Sequence, residues 1–312
     1  MTPLIKKLWS ESAALTFCAA LMLAAFVASA VGIFVDPRII TGVPAWLKPA
    51  KFAISTAIFA ATVAWLYQYI TIWPRFKRVS GWLLAIILIV EVGLIDVQAA
   101  RGTTSHFNAA TPADAAIFGV MGIAIAVLLV ISVVMTYVLF RQPFAHRAWG
   151  WSLRLGALVY VLGAASAGFM IGPKPDQMEA LKAHQKVAVI GGHTVGASDG
   201  GPGLPGVGWS EQHGDLRIPH FFGLHALQAI PFLGWLVVRA RRGVRMVFAG
   251  AASYLAFTGI LTWQALRGQS MVEPDAATLT AFAIWAAATL LAVFLSSKGT
   301  EQYEPGTPVL SV

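Results

Sequence analysis

The sequence predicts an all-α, polytopic integral membrane helical bundle of about eight transmembrane helices, and three observations carry that prediction. Apolar runs at roughly 13–35, 52–72, 81–100, 114–140, 150–172, 219–238, 244–266 and 277–296 fill most of the 312 residues. Each run meets or exceeds the ~20 residues that a helix needs to cross a hydrocarbon core. The composition is 57% hydrophobic and only 12% charged, and almost all connections are too short to fold alone.

The first run follows the basic pair Lys6-Lys7 and ends in Ala28-Ser29-Ala30, a layout that a cleaved secretory signal would share. Its small residues Ala28 and Gly32, spaced for close helix approach, have counterparts further on, so this run is expected to stay within the fold. Runs two and three are separated by Arg75, Lys77 and Arg78, runs four and five by Arg141 and Arg147, and runs six and seven by Arg239, Arg241, Arg242 and Arg245. Placing the N-terminus inside puts 13 Lys and Arg on cytoplasmic segments and 9 on the other side. That asymmetry predicts a plasma or inner membrane protein with both termini cytoplasmic. The net charge of +8 is then matched by anionic headgroups, and a nucleic-acid partner is not required. The single cysteine, Cys18, lies inside the first run and cannot form an intrachain disulfide.

Two sequence echoes divide the chain into two four-span repeats, 1–149 and 150–312. Gln98-Ala-Ala-Arg101-Gly102 reappears as Gln264-Ala-Leu-Arg267-Gly268, and Pro49 to Ser55 aligns with Pro219 to His225. A weaker echo joins Ala28–Gly32 to Ala164–Gly168. Four spans per copy is an even number, which makes this 4+4 arrangement a parallel internal repeat. The second copy carries the one long loop, 173–216, with a short interfacial helix expected over 174–190 and a Gly-rich stretch at 191–208. The G-x-G-x-x-G match at 201–206 lacks the strand and helix that give that pattern its meaning.

Ionisable groups inside a span usually face a cavity or the bundle interior, which makes them the best functional clue. Span three holds Glu91, Asp96 and Gln98; Glu91 and Gln98 share a face, and Asp96 lies about 140° away from Glu91. Span six opens with Arg217 and His220 and carries His225 and Gln228, while span two opens with Lys48, Lys51 and Ser55. The outer loops add His106, Asn108, His193, Glu211, His213 and Asp215. A pocket open to the outside, lined by spans two, three, six and seven, would spare all of these from lipid.

Three kinds of chemistry fit this set. The first is an oxidoreductase-like centre holding haem or a divalent transition metal, with His225, His220, His213 and His106 as imidazole ligands and Gln98 and Gln228 beside the cofactor. The five-residue spacing of His220 and His225 is a weak signal, because the two diverge by about 140° on a straight helix. The second is an acid–base enzyme, such as an intramembrane hydrolase, in which Glu91 or Asp96 acts as base with His225 as acid. The third is a transporter or receptor for a small anionic or lipid-like solute attracted by Lys48, Lys51, Arg101, Arg217 and Arg267, with Ser55 lining its path. Arg101 and Arg267 also suit a plainer role, capping the C-termini of their spans before a glycine turn. A structural or assembly subunit of a membrane complex fits the same composition.

Overall fold

A computed structural model describes residues 2–298. Helices dominate it, and eight of them are long and apolar enough to cross a bilayer, so the chain is a multi-pass membrane protein. Its residues form two compact units, Met1–Ile131 with Gly168–Glu211 and Ser132–Ala167 with Gln212–Val312.

The first unit begins with α1 (Pro3–Glu11), a short helix that the sequence reading did not separate from the span behind it. Ser12 breaks it from α2 (Ala13–Val35) by adopting an extended backbone, and the Ser12 hydroxyl then accepts the Leu15 N–H to cap the span. A salt bridge from Lys77 to Glu11 at 2.7 Å ties this corner to the start of α4 (Pro74–Ala100). Between them a two-residue hairpin, β1 (Ile39–Ile40) with β2 (Val43–Pro44), leads into α3 (Leu47–Leu66). α2 packs along α3, and both rest on α4. The α2–α3 approach is close at Gly32, where an added Cβ would sit 2.6 Å from the Trp46 ring.

α3 and α4 start earlier than the apolar runs at 52 and 81. Both gain a polar first turn, and in α4 Pro74 supplies a backbone already set for the first helical position. α4 ends in a Schellman turn: Gly102 takes φ 74°, its N–H reaches the Ala99 carbonyl, and the Thr103 N–H reaches that of Gln98. The long loop then returns to this unit. Its helix is shorter than the expected 174–190, running only as α8 (Pro175–Lys182) after the four-residue turn α7 (Gly168–Ile171). The chain leaves α8 through His184 at φ 55°, and by Val189 it is extended and bridged to Asn108.

In the second unit α6 (Arg147–Ala165) packs against α9 (Arg217–Arg239), which in turn meets α10 (Val244–Leu266), and α10 meets α11 (Ala276–Lys298). Glycines set the α6–α9 distance. An added Cβ on Gly163 would lie 2.4 Å from the Gly223 Cα, so the backbones touch and no larger residue fits. Val159, Ala226, Ile230 and Ala251 fill the seam between these helices. α10 ends as α4 does: Gly268 takes φ 72°, with its N–H on Ala265 and the Gln269 N–H on Gln264. α5 (Pro112–Arg141) runs from the first unit into the second.

Candidate functional site

In the first unit the start of α3, the end of α4 and the loops at 101–111 and 173–211 supply one set of polar side chains. Lys48, in the first turn of α3, places its ammonium 3.1 Å from His106 Nδ1 and 5.7 Å from the centre of the Phe52 ring. The Ser105 hydroxyl reaches the same nitrogen at 3.0 Å. An ammonium can only donate, so Nδ1 is the acceptor and the ring proton resides on Nε2. Burial first, then the charges of Lys48 and His193, hold the His106 imidazole well below its ordinary pKa and keep it neutral. The Phe52, Phe107 and Phe118 rings surround it.

Glu91 points from the middle of α4, is only 5% exposed, and has a carboxyl oxygen, Oε1, with no hydrogen-bond partner. Lys48 lies within electrostatic reach of it. A buried carboxyl oxygen left without a donor costs about 1–3 kcal/mol, and such an atom in a native fold needs an explanation. Asp96, one and a half turns on, is partly buried and its Oδ1 is likewise unpartnered.

The remaining expected residues of this unit have local tasks. Gln98 donates to the Thr104 carbonyl and to Asp114 and accepts from Arg101, so its amide is consumed by the turn after α4. Arg101 completes that turn with a 2.8 Å salt bridge to the buried Asp114. Lys51 donates to the Val207 carbonyl of the long loop. Ser55 is exposed.

The long loop adds a pair that the sequence reading placed only as an outer histidine. His193 Nδ1 donates to Asp199 at 2.7 Å, and the Asp199 carboxylate also accepts the backbone N–H groups of His193 and Thr194. Burial, the largest single influence, acts to raise the Asp199 pKa. The bond and charge of His193 and the two backbone donors outweigh it and hold this carboxyl below the usual range. Lys174 braces the same turn through the Thr194 and Ala197 carbonyls. The spacing His193-x5-Asp199 gives no warning of this pairing, since it depends on the left-handed Gly196 between them.

In the second unit His220 Nδ1 donates to the Gly163 carbonyl at 2.8 Å, which the glycine contact of α6 with α9 makes possible. His225 Nδ1 donates to the Gln228 Oε1 at 3.3 Å, with the Phe221 ring 4.3 Å away. Arg217 is paired with the fully buried Asp215 carboxylate, and His213 lies partly buried ahead of α9. The motif Asp215-Leu-Arg217 repeats Asp36-Pro-Arg38 of the first unit, down to the backbone N–H of each arginine bonding its own aspartate. This repeated Asp-x-Arg was legible in the sequence and was missed.

Among the described residues no group of three or more His, Cys, Asp or Glu side chains could hold a metal ion, and the expected ligands His213, His220 and His225 of the second unit form no such group; the fourth, His106, belongs to the first unit. The helical spacing accounts for part of this: His220 and His225, five residues apart, leave α9 in divergent directions.

Compared with known proteins, the chain matches no family model, no curated protein and no solved structure.

Proposed function

We propose that this membrane protein is a transporter or receptor that binds a small anionic or lipid-like solute at the set formed by Lys48, Glu91 and His106. The observation that carries the reading is the unpartnered, 5%-exposed Glu91 Oε1 within reach of the Lys48 charge. Such a pair offers a solute one cationic donor and one acceptor in surroundings where water competes poorly, and intramembrane ionisable groups mark pathways of this kind. Lys48 would hold an anionic group and Glu91 would accept a hydroxyl or amine hydrogen from the same molecule. The Phe52, Phe107 and Phe118 rings suit an apolar portion.

The charge asymmetry of 13 against 9 supports placing this end of the first unit outside and both termini in the cytoplasm. The matched glycine turns at Gly102 and Gly268 and the matched Asp-x-Arg pairs support the 4+4 repeat.

A second reading, a metal- or haem-dependent enzyme, has one observation in its favour. His220 and His225 both commit Nδ1 to an oxygen, as metal-bound imidazoles do. Metal analysis and an absorption spectrum of the purified protein separate the two. Stoichiometric metal or a Soret band lost in His225→Ala would favour the enzyme. Thermal stabilisation by octyl phosphate or inorganic phosphate in nanodiscs, with neither metal nor haem, would favour the solute site.

A further inference from the structure

We propose that α1 lies in the plane of the membrane surface and that its lysines, together with Arg75 and Arg78 at the start of α4, bind the headgroups of anionic phospholipids. This surface stands apart from the solute site. It adjoins the Tyr67 end of α3, where Lys77 bridges Glu11 and the Tyr67 carbonyl. Lys48 occupies the first turn of that helix, about 28 Å away along its axis.

Three observations carry it. First, the residues of α1 sort by face. At about 100° per residue, Leu4, Ile5, Leu8 and Trp9 occupy one arc of about 140°, and Lys6, Lys7, Ser10 and Glu11 occupy the other side. Second, the apolar face is not spent on the protein interior. No residue of α1 is buried, and Leu4, Ile5 and Trp9 are 56%, 42% and 48% exposed although the helix touches α2 and α3. A short helix with this pattern turns its apolar side into the boundary between headgroups and acyl chains. Third, the chain holds that face at the bilayer. Ser12 takes an extended backbone, so α1 does not continue the axis of α2, and the membrane span begins at the next residue. The Lys77–Glu11 salt bridge fixes the corner to α4, and so does the Ser12 hydroxyl, which would lie 2.8 Å from a Cβ on Gly81.

Charge selects the occupant. Among the described residues Lys6, Lys7, Arg75 and Arg78 enter no salt bridge, and all four are exposed. Glu11, the one carboxylate of α1, is already held by Lys77 at 2.7 Å. The surface therefore offers four cations without a matched acid. Beside them stand Trp9 and the exposed Trp73, whose ring meets Phe76 edge-on. Tryptophan next to lysine and arginine is the composition of a membrane–water boundary, where the indole sits at headgroup level. An anionic phospholipid answers both halves of the surface: its phosphate meets the cations, and its acyl chains cover Leu4, Ile5 and Trp9. A free anion would meet the cations alone and leave the apolar face in water.

The test uses the full chain in nanodiscs of mixed phosphatidylcholine and phosphatidylglycerol, on a Cys18→Ala background that allows one spin label at Ile5→Cys or Ser10→Cys. The Ile5 label is expected to collide more with oxygen dissolved among the acyl chains than with a water-soluble nickel chelate, and the Ser10 label is expected to show the reverse. Native mass spectrometry of the protein released from the same nanodiscs then reads the lipid. The wild type is expected to retain phosphatidylglycerol over phosphatidylcholine. Lys6→Gln/Lys7→Gln is expected to lower that preference about fivefold or more, the scale of one or two cations lost at an anionic surface. Lys182→Gln on exposed α8 is expected to change neither readout. Nickel contact at both labels would place α1 in water and overturn the proposal. Shielding of the Ile5 label from both reagents would overturn it in favour of a second copy or another protein as the occupant. Equal retention of the two lipids, or a preference that the lysine variant keeps, would overturn the headgroup assignment. Arg75→Gln/Arg78→Gln provides a second pair should the lysine variant misfold.

Discussion

The Lys48 ammonium donates to His106 Nδ1 across 3.1 Å, joining the first turn of α3 to the loop that leaves α4. Burial, reinforced by this cation, disfavours protonation of the imidazole. The pairing therefore defines both a polar floor for the site and a pH limit for the fold.

That limit is measurable. His106 is held below its ordinary pKa when folded, first by burial and then by Lys48 and His193, while the unfolded chain titrates near ~6.5. As pH falls through that value the unfolded state binds the extra proton, so stability is full above it and is lost on acidification. His106→Gln is expected to flatten the fall in melting temperature between pH ~7 and ~5. Parallel profiles for the two proteins would show that His106 does not set the limit.

The two glycine turns give a comparison within one molecule. Asp114 is buried and holds Arg101, Gln98 and Thr111, whereas Asp275 and Arg267 are both substantially exposed. Asp114→Ala strands the buried Gln98 amide and is expected to lower stability clearly. Asp275→Ala removes a solvent-screened surface pair and is expected to cost markedly less. Denaturation in mixed micelles measures both, and equal losses would contradict the assignment of the difference to burial.

Gly163 and Gly223 make a third case. A methyl on Gly163 would meet backbone at 2.3 Å, while one on Gly259 would meet nothing within 4 Å. Gly163→Ala is expected to destabilise by about 1–3 kcal/mol and to break the His220 bond to the Gly163 carbonyl. Gly259→Ala is expected to be neutral or slightly stabilising. If Gly163→Ala unfolds like the wild type, α6 and α9 are not in the contact described.

The spans were legible because a bilayer imposes ~20 apolar residues wherever a helix crosses it. The turns after α4 and α10 were legible too, since Arg followed by Gly is a helix stop in any solvent. What the sequence reading missed depends on partners far along the chain. Asp114 looks like an ordinary first-turn acid until Gln98 and Arg101 arrive from 16 and 13 residues away. His193 is one loop histidine among several until Asp199 and Phe107 fix it. Whether the histidines meet was hidden for the same reason: residue type and approximate depth were visible, but ring direction was not.

The most direct test of the solute site is thermal unfolding of the nanodisc-embedded protein with octyl phosphate and with inorganic phosphate, compared across wild type, Lys48→Met and Glu91→Gln. Ligand at 100 times its Kd should stabilise the wild type by about 2.7 kcal/mol, and both variants should lose most of that gain while still unfolding cooperatively. Stabilisation by octyl phosphate alone identifies a lipid-like solute, and stabilisation by both identifies a small anion. Absence of any shift in the wild type, or an equal shift in all three proteins, would contradict the assignment of Lys48 and Glu91 to a solute site.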